Sequence, residues 1–393
     1  MHTTLMPGID WVGYVDWNIR DFHSYKTFHG ATYNAYLIRD TKTALIDSVK
    51  KPFAAALLEN IQDLTSLDRV DYVICNHAEQ DHAGALSVIL PQLPNAVLVC
   101  NARCHETLSR YTDTSSWRVQ IVQDGETLSL GENTLTFVNT PMVHWPESMM
   151  TYVGEKKLLF SMDGFGQHIA SSERFDDELP LEQILDEAKT YYANIVYPYG
   201  RQVLQVLEKA KGLPIEMIAP SHGVIWRKNL GAILDCYQRW ASRTAEAKVV
   251  ILYDTMWEST EMLADAIYAG AVSVEGVKVE KIHVRKSSLT QIATAVMDAK
   301  CVAMGSATLN TLPMPTMAAV MNYLQGLKPP VEHTLAFGSH GWGRGAVEEM
   351  TTWFEKVQWN PVSEPLKCRW RPDAELLEKG EGIGKILAQK ALE

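Results

Sequence analysis

Val70-Asp71-Tyr72-Val73-Ile74-Cys75-Asn76 runs directly into His77-Ala78-Glu79-Gln80-Asp81-His82. The first seven residues are a short, mostly apolar run of strand length, and a helical stretch over Ala85 to Leu90 follows the polar segment. Four ionisable side chains, His77, Glu79, Asp81 and His82, therefore sit within six residues in a loop that leaves the end of a strand. There they can converge on one point, and a bound cation is the usual offset to the desolvation and mutual repulsion of such a group. A solvated polar loop is the alternative left open at this stage.

The pattern of short apolar runs ending at polar residues extends on both sides. Ala44-Leu45-Ile46-Asp47, Ala96 to Cys100, Thr134 to Val138, Leu158 to Phe160 and Met217 to Ala219 all have strand length, and Leu181 to Tyr192 reads as helix. The first half is therefore expected to be a layered α/β domain.

A polar stretch, Ala241 to Lys248, precedes a fresh β-rich run at Val249 to Tyr253 and marks a boundary, giving domains 1–247 and 248–393. Beyond it come a helix over Met262 to Gly270, a strand over Val277 to His283, a helix near Gln291 to Ala299 and the run Cys301 to Gly305. The strand Thr334 to Gly338 and a helix over Ala346 to Trp359 follow. This alternation predicts a doubly wound parallel sheet with ligands at the carboxyl ends of its strands.

The totals exclude several classes of function. With 393 residues, two domains of ordinary size are expected. A net charge of -11, with no cluster of Lys and Arg, argues against nucleic acid. The start lacks a basic segment leading into a long apolar run, and no uninterrupted apolar stretch of about 18 residues occurs, so a cytoplasmic protein with no membrane partner is expected. Six scattered cysteines form no Cys-x-x-Cys pair, which excludes a disulfide framework and a rubredoxin-type iron site on this chain.

Three more candidates sit at strand ends: His144 in Thr140-Pro141-Met142-Val143-His144-Trp145-Pro146, Asp163 in Leu159-Phe160-Ser161-Met162-Asp163, and His222 in Ala219-Pro220-Ser221-His222-Gly223. Taken singly, such a residue is more often a turn or hydrogen-bonded structural group than a ligand. Together with the first loop they resemble the metallo-β-lactamase family, whose fold holds two metals with a His-x-His-x-Asp-His loop and later His, Asp and His residues. Here Glu79 replaces the second histidine. Three carboxylates make a harder site than a nitrogen-rich zinc site, and iron in its ferrous and ferric states suits such a site better.

The His-x-Glu-x-Asp-His variant resembles that of the flavodiiron proteins. So do Asp16-Trp17, Arg20-Asp21-Phe22-His23, Tyr33-Asn34-Ala35-Tyr36-Leu37, His144 to Met150, Asp163-Gly164-Phe165-Gly166-Gln167-His168, Tyr191 to Ile195 and Ser221 to Trp226. The likeness spans essentially the whole chain. It implies an N-terminal metallo-β-lactamase-like αββα domain followed by a flavodoxin-like doubly wound parallel sheet. It also implies two irons: His77, Glu79 and His144 holding one, Asp81 and His222 the other, and Asp163 bridging. His82 binds metal in some members and stands aside in others. His23 and one of Tyr191 or Tyr192 are candidate donors to bound O2 or NO, although a packed aromatic or a structural hydrogen bond is the slightly favoured reading of each.

In the second half, Asp254-Thr255-Met256-Trp257-Glu258-Ser259-Thr260 opens a helix expected to begin near Glu261. Hydroxyls and free N–H groups there suit a phosphate, or simply an N-cap. Ser306-Ala307-Thr308-Leu309-Asn310 and Ser339-His340-Gly341-Trp342-Gly343 each follow an apolar strand and resemble the flavin-ring loops of flavodoxins, with Trp342 able to stack on the ring. Glu258 departs from the glycine often found in the flavodoxin phosphate loop and is expected to face solvent. The missing Gly-Lys-Ser/Thr rules out a Walker-type loop.

The resemblance thus implies FMN and a non-haem di-iron centre that reduce O2 to water or NO to N2O, with rubredoxin or a flavin reductase as donor. It also implies a head-to-tail homodimer, or a dimer of dimers, in which one subunit's flavin serves the other's irons. The alternatives are a zinc hydrolase fused to a flavodoxin-like module, and a flavodoxin-like electron carrier whose first domain only docks.

Overall fold

The computed structural model describes residues 2–393. It divides into two compact units, Met1–Ala241 and Ser242–Glu393.

In the first unit one sheet has the spatial order Thr3–Met6, Ile9–Trp11, Tyr36–Arg39, Thr43–Ile46, Val70–Ile74, Val97–Cys100 and Val119–Ile121. Its pairs are antiparallel as far as Thr43–Ile46 and parallel beyond it. A second sheet runs antiparallel through Thr127–Ser129, Thr134–Asn139, Met149–Val153 and Leu158–Met162, and Met217–Pro220 adds a parallel edge. Period-two alternation decides what lies where. Ala44, Ile46, Ile74 and Val99 point between the sheets, against Phe137, Met149, Leu158, Phe160 and Ala219. Leu45, Val73 and Leu98 point the other way, against Leu57 and Ile61 of the helix Ala54–Gln62 and Leu108 of the helix Ala102–Tyr111. On the outer face of the second sheet, Leu207 of the helix Gly200–Ala210 and Leu234 of the helix Leu230–Ala241 border one apolar cleft with Leu159 and Ile218. The result is the four-layer αββα arrangement.

The second unit holds a parallel sheet in the order Lys278–His283, Glu246–Asp254, Ala299–Leu309, His333–His340, with Asn360–Pro361 and Leu366–Arg369 beside the last. Both faces are covered. Leu263, Ile267, Ile383 and Leu387 pack on one, and Ile292, Val320, Leu324, Met350 and Phe354 on the other. The first strand in sequence lies between the second and third, which puts the point where the winding reverses at its carboxyl end.

Two helix expectations shift. The helix near Gln291 spans Leu289–Val296, because Ser288 and Gln291 form a reciprocal capping box, and Ala299 already begins a strand. The helix expected from Glu261 starts at Ser259. Among the described residues no helix is long and apolar enough to cross a membrane.

Candidate metal centre and cofactor loops

The metal loop begins from a fixed point. Asn76 donates from its backbone N–H and from Nδ2 to the two oxygens of Asp47 at 2.8 and 2.9 Å, and accepts from Thr151 Oγ1 at 2.7 Å. Asp47 follows a strand of the first sheet and Thr151 belongs to the second, so both sheets anchor the turn.

Seven side chains then converge as two groups. Nε2 of His77 and Nε2 of His144 each lie 3.2 Å from Oε2 of Glu79, and 3.5 and 3.3 Å from Oδ2 of Asp163. Nε2 of His82 and Nε2 of His222 each lie 3.1 Å from Oδ2 of Asp81, and 3.2 and 3.5 Å from Oδ1 of Asp163. Asp163 thus offers one oxygen to each group. Asp81 Oδ1, Asp163 Oδ2 and both ring nitrogens of His82 are buried without a hydrogen-bond partner. Polar atoms left so in a protein interior are costly. An imidazole and carboxylate set with no sulfur, aimed inward on two centres, fits a pair of hard to borderline cations.

The electrostatics agree. Burial opposes the charged form of His77, His82 and His144. The facing carboxylates overcome it: Glu147 and Glu79 raise His77 to about 9, Asp81 and Asp163 raise His82 to about 9, and Asp163 and Glu79 raise His144 to about 10. Against its own burial, Asp163 is held well below the usual carboxylate range by His82 and His144. The potential that draws protons to these nitrogens also favours a cation, and the two compete for the same atoms.

Around the ligands stands a ring of orienting groups. His77 Nδ1 lies 2.7 Å from Glu147, and His222 Nδ1 lies 2.6 Å from the carbonyl oxygen of Thr32. Such partners fix the ring so that Nε2 faces inward. His23 Nε2 lies 3.0 Å from the second oxygen of Glu79. Of the two tyrosines, Tyr191 donates to Asp163 Oδ1 at 2.8 Å, whereas Tyr192 turns away into an aromatic group with Tyr197, Tyr237 and Trp240. The reason is helical phase: adjacent residues on a helix do not share a face.

Three further residues were not singled out from the sequence as site groups. Glu147 orients His77. His168 is buried against Tyr191 and His222, and burial holds it well below its ordinary value. The ammonium of Lys50 sits 4.4 Å over the Phe22 ring and 4.9 Å over that of Tyr33, where burial lowers it and Asp81 counteracts. Glu147 and His168 carried a signal, their closeness in sequence to His144 and Asp163; Lys50 carried none.

In the second unit the three loops leave neighbouring strands at one end of the sheet, since Asp254 pairs with Ser306 and Ala307 with Ser339. Thr255 Oγ1 and Asp254 Oδ2 are buried without partners beside the start of the helix Ser259–Val272. Ser259 and Thr260 are buried there, and Thr260 shares a 2.9 Å hydrogen bond with Ser339. Met256, Trp257 and Glu258 are exposed, as are Asn310 and Trp342. Glu258 has φ 65, the left-handed region that favours glycine. The Ser306 hydroxyl is engaged within its own loop, donating to the Ala307 carbonyl and accepting from Met314 N–H. Ala307, Thr308, Leu309, His340, Gly341 and Gly343 complete the two loops. The unpartnered Thr255 hydroxyl near a helix N-terminus, beside two loops at the winding reversal, fits a phosphate-bearing planar cofactor.

Comparison with known proteins agrees with both halves. A family model described as the ODP family beta lactamase matches residues 31–223, and a flavodoxin model matches residues 251–381. A nitric oxide reductase of Moorella thermoacetica is 41% identical over 391 residues, covering 98% of each chain. The anaerobic nitric oxide reductase flavorubredoxin of Salmonella typhi is 40% identical over 396 residues, covering 99% of this chain and 82% of that one. Among solved structures, the flavodiiron protein from Giardia intestinalis superposes with a TM-score of 0.97 at 36% identity, covering 100% of this chain and 97% of that one. The rubredoxin oxygen:oxidoreductase from Desulfovibrio gigas gives 0.96 at 35%, covering 100% and 99%.

Proposed function

Since this chain belongs to the flavodiiron protein family, we propose that it is an oxidoreductase using FMN and a di-iron centre to reduce O2 to water, NO to N2O, or both. The observation that carries the reading is the split of Asp163, one oxygen to each of two imidazole and carboxylate groups. His77, Glu79 and His144 would hold one iron and Asp81 and His222, with His82, the other, while Asp163 offers one oxygen to each group. Thr255 and the start of the following helix would hold the FMN phosphate, and the loops Ser306–Asn310 and Ser339–Gly343 would take the ring.

When bound, the flavin and the iron pair supply the electron-transfer and gas-binding chemistry. The chain's own residues position and tune that chemistry. Glu147 and Thr32 aim two imidazoles, the Tyr191 hydroxyl donates to Asp163 Oδ1, and His23 reaches the outer oxygen of Glu79 from a solvent-exposed position. These last two groups are placed to pass the protons that either reduction consumes.

A rubredoxin-type protein supplies the electrons, in keeping with the names of the relatives. The same names speak against the zinc hydrolase and the simple carrier. We extend the proposal to a head-to-tail homodimer and a cytoplasmic location, the latter supported by six buried free cysteines. Anaerobically reduced protein is expected to consume O2 or NO, and Asp81→Asn or His144→Ala to abolish that consumption while FMN is retained. Equal consumption by the variants would refute the metal assignment. Sedimentation of the holoenzyme at the monomer mass would refute the dimer.

A further inference from the structure

The outer face of the second sheet of the first unit carries a cavity that the metal ligands do not line. Val138 lies opposite Met150, and Leu159 opposite Ile218; by period-two alternation all four point out of the sheet, into one cleft of about 550 Å³. Val206 of the helix Gly200–Ala210 and Leu234 of the helix Leu230–Ala241, both half-buried, form its sides. Met150, Leu159 and Ile218 are buried at its floor. The polar groups stand at the rim, where Lys209 pairs with Asp124 at 3.1 Å and Asp235 and Gln238 are exposed. A floor of hydrocarbon and thioether gives water no hydrogen-bond partner and a charged ligand no counter-ion, and apolar cavities of this kind stay dry and take up uncharged guests such as xenon.

Phe165, which also lines the cleft, follows Asp163 by two residues. Met162 and Phe165 stand on either side of Asp163 with φ 57 and 67, the left-handed region that bulky side chains rarely adopt. Backbone strain of this kind persists where the surroundings hold it, and it clusters at functional sites. Tyr237 holds Phe165: its hydroxyl accepts the Phe165 N–H at 2.7 Å and its ring lies 4.4 Å from the phenyl ring. The flanking glycines make the wall thin. A Cβ on Gly164 would meet Met150 Cε, on the cleft side, at 3.0 Å, and a Cβ on Gly166 would come to 3.6 Å from both His222 Cβ and Tyr191 Cζ, on the metal side. Phe165 is therefore the one side chain in a three-residue partition between the cleft and the groups around Asp163.

We propose that this cleft collects the uncharged diatomic gas on which the metal centre acts and admits it to the metal groups past Phe165. The inference rests on the reading of that centre as a site for O2 or NO, and it supplies a way in for that class of substrate. Both gases are small and uncharged, so entering an apolar cavity spares them the desolvation cost that keeps ions and water out. Protons, which the same reduction consumes, cannot take an apolar route, and the exposed His23 beside Glu79 offers them a separate one. A passage that requires one ring to rotate lies within ordinary side-chain motion.

The test is O2 consumption by the holoenzyme under excess reductant, with the cleft filled in Val206→Trp/Leu234→Trp, at helix positions that are neither metal ligands nor part of the flavin loops. In that variant kcat/KM for O2 is expected to fall roughly tenfold while kcat at saturating O2 holds, the signature of lost access and intact chemistry. Iron content, FMN content and the rate of flavin reduction are expected to stay unchanged. In the parent, xenon under pressure is expected to compete with O2 and raise KM, and the filled variant to lose that response. The xenon measurement needs no substitution, so it decides the matter even if the variant fails to fold. An unchanged kcat/KM in a folded, iron-replete variant overturns the proposal, as does xenon without effect on the parent's KM. A parallel fall in kcat also overturns it, since that would mean a distorted metal centre. A parent that consumes neither O2 nor NO refutes the reading of the centre itself, a signature distinct from the others.

Discussion

The hydroxyl of Tyr191 donates to Oδ1 of Asp163 across 2.8 Å, on the oxygen that faces His82 and His222. A buried tyrosine is thereby tied to the carboxylate both groups share, and Asp163 in turn pushes the phenol well above its ordinary value after burial, so it stays protonated. Tyr191→Phe is expected to keep the iron, lose about 1 kcal/mol of stability and slow turnover roughly tenfold or more. Iron content measured beside turnover checks this; a variant with unchanged turnover would make the hydroxyl purely structural.

Glu147 acts one step further out. Its carboxylate takes the Nδ1 side of His77 and also accepts from the Ala78 N–H at 3.2 Å, holding ring and loop together. Glu147→Gln keeps the size but weakens this grip, and iron affinity is expected to drop by about 10- to 100-fold. Competition with a chelator measures it.

Acidity separates the metal-free and loaded forms. The raised values of His77, His82 and His144, about 9, 9 and 10, mean that their charged forms stabilise the metal-free fold. That contribution is complete below the unfolded value of about 6.5 and is lost as pH rises through the folded values. Metal-free protein should therefore lose thermal stability between about pH 7 and 10, whereas iron-loaded protein, with metal in place of those protons, should not. Melting curves of the two forms with the same slope in that window would contradict the assignment.

Glu258 offers a local test. It is exposed and sits at φ 65 immediately before the helix Ser259–Val272. Glu258→Gly relieves a left-handed strain of about 1 kcal/mol and removes a carboxylate from beside the phosphate loop. Both the melting temperature and FMN affinity should rise. A lower affinity would mean that the carboxylate contributes to binding.

Much of this was legible in the sequence because strand ends and chemistry coincide. His77, Glu79, Asp81, His144, Asp163 and His222 each stand just past an apolar run, so the sheet order alone gathers them. The exposure of Glu258 was legible too, but its left-handed backbone was not. What sequence could not supply was set by tertiary contact. Glu147 is defined by a ring that lies 70 positions away along the chain. Tyr191 and Tyr192 differ only in which side of one helix faces the metal loop. Lys50 looks like a surface lysine until Phe22 and Tyr33 are folded beneath it.

Metal analysis of the purified holoenzyme by plasma emission, read together with its visible spectrum, bears most directly on the central claim. A pair of irons and a single FMN per chain, with flavin absorbance that bleaches on anaerobic reduction and returns with O2 or NO, is the predicted result. Zinc in place of iron, or a colourless protein that reductant leaves unchanged, would contradict it.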